Sequence, residues 1–178
     1  MKIFVTSNQQ FGRPGAIKAY GRPFSDVEEM NQYMIQQWNS VVGPEDTTFV
    51  IGNFVWDPET AERLANRLNG QIYVIPGEWD RAIQDITSGD YVDGYKMKYL
   101  AIGIKEVRAL KSVLTYWPMV EWPKKKKGWI SYIGYPSKKY KSDHKNKVVN
   151  TQCDNWDFKP IDIAAINTLY NDPDLIKE

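Results

Sequence analysis

The chain has 178 residues, 42% hydrophobic and 25% charged, with a net charge of +1, which is the profile of one soluble domain with a sizeable core. Its single cysteine, Cys153, and single histidine, His144, exclude an internal disulfide framework and any multi-histidine metal or acid–base site. There is no apolar run long enough for a membrane span and no signal-peptide pattern before the first strand, so a cytoplasmic protein without a membrane partner is expected.

Lys2 to Thr6 reads as a buried strand that runs into a loop. Ser25-Asp26-Val27-Glu28 has the form of a capping box, with the serine accepting from a first-turn amide and the glutamate reaching back. The helix it opens places Val27, Met30, Met34, Ile35 and Trp38 near helical spacing and ends around Asn39. A turn at Gly43-Pro44-Glu45-Asp46 leads to an apolar, β-branched strand from Thr47 to Ile51. Asp57-Pro58 supplies a cap and a first-position proline for a second helix. Ala61, Leu64, Ala65 and Leu68 form its inner face, and Gly70 stops it.

Gln71 to Ile75 is the next strand, so the order so far is strand, helix, strand, helix, strand. That alternation predicts an α/β sheet with loops at the carboxyl ends of its strands. From Arg81 to Lys105 the signals are weak: a short helix, then a strand around Tyr95 to Ile102. Further strands are expected at Ser112 to Tyr116, Trp129 to Ile133 and Val148 to Cys153. Pro160 opens a last helix with Ile163, Ile166 and Leu169 inward. No repeat and no linker divides the chain, so a single domain, 1–178, is expected.

Charge is unevenly spread. Between Leu110 and Asn150 stand ten lysines against Glu121 and Asp143. Such asymmetry marks either a face for an anionic partner or a solvated lysine-rich loop.

Three loops carry the remaining information. The first strand ends in Ser7-Asn8-Gln9-Gln10-Phe11-Gly12, the second in Gly52-Asn53-Phe54, and the third in Gly77-Glu78-Trp79-Asp80-Arg81. Together with Arg22-Pro23-Phe24, Glu28-Glu29-Met30-Asn31, Trp38-Asn39-Ser40-Val41-Val42, Leu68-Asn69-Gly70 and Asn155-Trp156-Asp157-Phe158-Lys159-Pro160, they make the chain resemble the calcineurin-like metallophosphoesterases. The likeness is to the small single-domain type common in bacteriophages, and it runs over about residues 1–170. The resemblance implies an α/β (α+β) fold, a four-layer sandwich of two facing mixed sheets with helices outside, and two metals at the loops of one edge.

Carried over by position, the ligand set is replaced. Where such enzymes read Ser-Asp-x-His-Phe-Gly, the aspartate and histidine positions hold Asn8 and Gln10. The bridging aspartate falls on Asn53. The asparagine and histidine of Gly-Asn-His-Asp-Arg fall on Glu78 and Trp79, and Asp80 alone is retained. A later histidine ligand corresponds to Tyr116, and a final Gly-His-x-His pair to Tyr135 and Ser137. Asn and Gln offer a carbonyl oxygen without the charge that balances a dication. Altered support around a metal alone weakens its binding about 10–100-fold, and here the ligands themselves are changed. The substitutions at Asn8, Gln10 and Asn53 are near-isosteric, so the scaffold can persist, and no metal or other cofactor is expected.

Other chemistry reads weakly. Cys153 with His144 could form a nucleophile and base, against the plainer reading of a core residue and a loop residue. Glu78 with Asp80 could form an acid–base pair, against an exposed or salt-bridged loop acid. Aromatics around the former site include Trp79, Trp117, Trp122, Trp129, Tyr132, Tyr135 and Tyr140. Trp38 and Trp156 are expected in the core, and Trp79 and Tyr135 as pocket fillings.

The leading expectation is therefore a catalytically inactive phosphoesterase fold, a pseudoenzyme acting by binding a protein partner. That partner would be a host protein, in the host cytoplasm, if the resemblance to phage proteins reflects origin. Its candidate binding residues are Trp122, Lys124, Lys125, Lys126, Lys127 and Trp129. The alternative is a nucleic-acid or nucleotide binder using the same lysines and aromatics. A residual metal-dependent phosphoesterase ranks third.

Overall fold

The computed structural model describes residues 1–80, 97–100, 103–137 and 140–172, with backbone alone at 62, 65 and 97–99. The fold is mixed α/β, of the α+β kind, with two mixed sheets. The first contains β1 (Ile3–Thr6), β2 (Thr47–Ile51), β3 (Gln71–Ile75), β4 (Met97–Tyr99) and β9 (Ile161–Asp162), in the order β4-β3-β2-β1-β9. Strands β1 to β4 are parallel, and β9 runs antiparallel to β1. The second sheet contains β5 (Ile104–Val107), β6 (Ser112–Thr115), β7 (Ile130–Ile133) and β8 (Val148–Asn150). There β6, β7 and β8 are parallel and β5 is antiparallel to β6.

The period-two alternation of each strand divides its side chains between two cores. One face of the first sheet puts Phe4, Val50, Ile72 and Val74 under the helices α1 (Pro14–Tyr20), α2 (Val27–Val41) and α3 (Pro58–Ala65), where Met30, Met34, Trp38 and Leu64 meet them. The other face puts Val5, Phe49, Ile51 and Ile75 against Leu114, Ile130, Tyr132 and Val149 of the second sheet. Helix α4 (Ile163–Asn171) adds Ile163, Ile166 and Tyr170 to this inter-sheet core. The outer side of the second sheet, at Val113, is covered by Trp122 and Trp129 from the segment that connects β6 to β7. That covering contains a 3-10 turn, Lys125–Lys127, where the resemblance implies helices.

Several local expectations shift. Asp26, not Ser25, caps α2, accepting from Glu29 N at 2.8 Å, while Glu29 rather than Glu28 reaches back to Ser25 N at 2.7 Å. The box is displaced by one residue: aspartate and serine are comparable caps, and the helix begins at Val27, which puts Asp26 at the capping position. Asp57 does cap α3, accepting from Thr60 N at 2.8 Å. Three elements lie outside the sequence expectations: α1, started by Pro14 and closed by Gly21 in a left-handed conformation, strand β5 and strand β9.

The expected last helix is preceded by β9, which pairs with β1, and Asp162 rather than the Pro160 region caps it. Its inner face ends on Tyr170, while Leu169 is 46% exposed. The strand expected to reach Cys153 ends at Asn150, where the chain turns into a 3-10 segment, Cys153–Trp156. Of the expected strand at 95–102, Met97–Tyr99 is formed. The short helix expected after Arg81 lies outside the described residues.

Candidate functional site

The three motif loops leave the carboxyl ends of β1, β2 and β3 side by side. Asn8, Gln10 and Asn53 all have left-handed backbone, with φ of 62°, 51° and 56°, a region that asparagine tolerates better than most residues. The ladder continues through them: Asn8 N donates to Gly52 O at 3.0 Å and Gln10 N to Asn53 O at 2.9 Å. Arg22 fixes the first loop from beneath. Its buried guanidinium donates to Asn8 O at 2.6 Å and Gln9 O at 2.7 Å, and forms a bidentate pair with Asp154 at 2.8 and 3.0 Å.

Glycine is required where the second sheet approaches. A Cβ at Gly134, just after β7, would overlap the Ile51 carbonyl, and one at Gly52 (φ 77°) would overlap the Tyr116 ring.

Asn8 and Asn53, both buried, form a closed chain of amides. Asn8 Nδ2 donates to Ser7 Oγ at 2.9 Å and Gly134 O at 2.6 Å. Asn8 Oδ1 accepts from Asn53 Nδ2 at 2.8 Å, and the second Asn53 N–H goes to Tyr116 Oη at 3.1 Å. Asn53 Oδ1 accepts from the Trp79 amide at 3.1 Å. Both N–H bonds and the carbonyl of each asparagine are therefore used, which assigns both amide orientations from their partners.

Asp80, also buried, accepts from Asn53 N at 2.6 Å, Gly77 N at 2.7 Å and Phe54 N at 2.9 Å. Burial raises its carboxyl above the ordinary range, and the three amide bonds oppose that shift. Tyr116 is pushed up to about 12, first by burial and further by the charge of Glu78, against the bond from Asn53. Gln10 is turned aside: its Oε1 accepts from Arg13 at 2.5 Å and its Nε2 donates to Tyr20 Oη at 2.7 Å.

A two-metal centre such as the resemblance implies does not fit these residues. A dication needs several lone pairs and compensating charge converging on one point. Here the carbonyls of Asn8 and Asn53 are spent on N–H donors, and their amino groups occupy the space between strands. Asp80 is turned into backbone amides. Among the described residues no three His, Cys, Asp or Glu side chains gather as metal ligands.

The other positions lie around this network. Tyr135 is half-buried, stacked on Trp117 at 5.0 Å and edge-on to Tyr116 at 5.8 Å. It packs beside the network through these two rings. The Ser137 carbonyl accepts from Tyr140 N and turns the loop. Glu78 is exposed, and Asp80 is spent on amides, so the two do not make an acid–base pair. Trp79 is 44% exposed and does not fill a pocket. Its indole lies 5.9 Å from that of Trp56, itself 40% exposed, and the Arg13 guanidinium stands 4.8 Å from both ring centres. Arg13 and Trp56 were missed from the sequence. The only available signal was a tryptophan three residues beyond Asn53.

The candidate binding residues on the lysine-rich segment are elsewhere. In the parallel β6–β7 pair, Ser112 faces Ile130 and Thr115 faces Ile133. The connection from Tyr116 to Trp129 therefore returns the chain to the opposite end of the sheet. Lys124, Lys125, Lys126 and Lys127 sit there, away from Asn8 and Asn53. Trp122 and Trp129 are buried, with Trp122 Nε1 donating to Trp129 O at 3.0 Å, so neither is available as an interface anchor. They are core because the second sheet has an apolar outer face to cover.

Lys124 lies 4.0 Å over the Trp129 ring and pairs with Glu106, and Lys125 lies 4.6 Å over Trp122 and pairs with Glu121. Lys126 and Lys127 are exposed. Cys153 is wholly buried beside Arg22, with its thiol pushed up by burial, and His144 stacks on Tyr170 at 3.9 Å. The two have separate partners, and a protonated buried thiol is a poor nucleophile. Trp38 is core, while Trp156 is half-buried.

Comparison with known proteins adds likeness in sequence and fold. No family model matches the chain. An uncharacterized protein of Methanocaldococcus jannaschii, MJ1445, is 36% identical over 98 residues, covering 53% of this chain. The chain spans about half the length of that relative, 55% of it. Among solved structures, a protein of unknown function from Aquifex aeolicus, AQ665, superimposes with a TM-score of 0.67 over 94% of this chain and 98% of its own, at 16% identity. The chain is thus similar in fold to AQ665 over nearly its full length and similar in sequence to MJ1445 over about half of it.

Proposed function

We propose that the chain is a metallophosphoesterase-like sandwich whose metal site has become a closed hydrogen-bond network, and that it acts by binding a protein partner. The two-sheet core with helices over the first sheet agrees with that fold. The observation that carries the reading is the Asn8–Asn53–Tyr116 chain, which occupies the place the resemblance assigns to the bridging carboxylate and its neighbouring ligands. Each polar atom there is satisfied within the protein. Opening the chain to admit a cation would leave several buried groups unpaired, at about 1–3 kcal/mol each.

The test is calorimetric titration with Mn²⁺ and with Zn²⁺, alongside hydrolysis of bis(p-nitrophenyl) phosphate. The expected results are no saturable uptake and a rate equal to the buffer blank. Stoichiometric uptake with hydrolysis that a chelator abolishes would overturn the reading and restore the phosphoesterase.

A further inference from the structure

We infer that the aromatic rim at the carboxyl ends of the strands, formed by Arg13, Trp56, Trp79 and Trp117, is the surface that takes the partner, and that it takes an acidic segment set among apolar side chains. This rests on the reading that the chain acts by binding. Three tryptophans are 40%, 44% and 53% exposed there, at Trp56, Trp79 and Trp117. Bare indole is costly in water, and tryptophan, tyrosine and arginine are the side chains on which protein interfaces concentrate their energy.

Both parts of the rim are tied to the buried network beneath them. Trp79 hangs from Asn53 by its amide, Asn53 bonds Tyr116, and Tyr116 packs edge-on to Trp117 at 5.1 Å. The network thus anchors the Trp79 backbone and the Tyr116 ring on which Trp117 packs, and a surface already ordered loses little entropy on binding.

Arg13 sets the chemistry. Among the described residues its guanidinium donates only to Gln10 Oε1. Its guanidinium lies between two indoles, 4.8 Å from each ring centre, with its other N–H groups left for a bidentate carboxylate. A nucleic acid fits less well. Arg13 is the cation held between the rim's rings, Glu78 is exposed beside Trp79, and the Lys124–Lys127 turn is at the other end of the sheet. A phosphate backbone needs several cations along its track.

The experiment is selection of a displayed library of random short peptides on the immobilised full chain. Synthetic copies of the enriched peptides and an oligothymidylate are then titrated by fluorescence against wild type, Arg13→Gln, Trp79→Ala, and the pair Lys126→Glu with Lys127→Glu. Because Arg13 and Trp79 are not in the core, thermal melts of their variants should stay near wild type. The expected result is enrichment of peptides with an Asp or Glu beside apolar residues, weakened by roughly tenfold or more in Arg13→Gln and Trp79→Ala and unchanged in the lysine pair. Peptides lost only in the lysine pair would overturn the location while leaving a binding protein. Oligothymidylate binding that Trp79→Ala abolishes would overturn the partner class. No enrichment at all would overturn both this inference and the reading it rests on.

Discussion

The two ends of the second sheet solve opposite problems with the same residue types. At the carboxyl end, where the loops of the first sheet meet it, tyrosine and tryptophan surround a buried polar network, Trp56 and Trp79 flank Arg13, and Trp117 is exposed beside Tyr116 and Tyr135. At the amino end, Trp122 and Trp129 are buried as an apolar cover, and lysines stand over them with their charged heads outward. An aromatic next to a cation is therefore not one kind of feature. At one end the cation lies between exposed rings; at the other it shields buried rings from water.

The largest expected effect breaks the carboxyl end. Gly134→Ala would drive a Cβ into the Ile51 carbonyl where the two sheets meet. The loss should be about 4 kcal/mol or more, read as failure to give a cooperative urea transition. Trp129→Ala tests the amino end. Removing a buried indole should cost about 3–4 kcal/mol by chemical denaturation, with peptide binding at the rim retained in the folded fraction. Loss of rim binding at preserved stability would instead mean that the two ends act as one surface.

Asn53→Asp sharpens the account of the network. The new carboxylate cannot donate to Asn8 Oδ1 or Tyr116 Oη, and it faces a carbonyl oxygen. A loss of about 2–3 kcal/mol is expected, with no rise in melting temperature on adding Mn²⁺. A rise that grows with Mn²⁺ concentration would show that one charge suffices to recover a metal site.

Tyr116→Phe should cost about 1–2 kcal/mol by leaving one Asn53 N–H unpaired. The same variant should lose a phenol that ionises at about 12 in spectrophotometric titration. The sign follows from the direction of the shift. The folded value lies above that of a free phenol, so the stability from the neutral hydroxyl is complete below the free value. It is lost as pH rises through about 12. The smallest effect belongs to Lys126→Glu with Lys127→Glu, both exposed and without an ion pair among the described residues. Their stability should remain within about 0.5 kcal/mol of wild type.

Much of the first half was legible because the signals there are local. Thr47–Ile51 and Gln71–Ile75 are short β-branched or apolar runs bounded by turn residues, and both formed as strands over those spans. Asp57-Pro58 capped its helix for a reason contained in two residues. Strand β9 was not legible: it is two residues long and is a strand only because β1 lies beside it. Likewise, α1 is seven residues long and buries Ala16 alone, too little to leave a helical pattern.

The site divides in the same way. The absence of charge at Asn8, Gln10 and Asn53 could be read directly, because residue identity is enough to see that no carboxylate or imidazole stands there. What replaces the charge could not be read, because the Asn8–Asn53–Tyr116 bonds join residues 45 and 63 positions apart. Nor could the fate of the tryptophans. Trp79 and Trp122 look alike in composition, and which one water reaches depends on where the parallel β6–β7 crossover leaves an apolar sheet face to be covered. The sequence by itself determined the strand–helix alternation and the uncharged side chains of the first two loops, since propensity, capping and side-chain charge are local. Only the tertiary structure decided which aromatics are core and which are surface, since burial belongs to the neighbours that packing brings together.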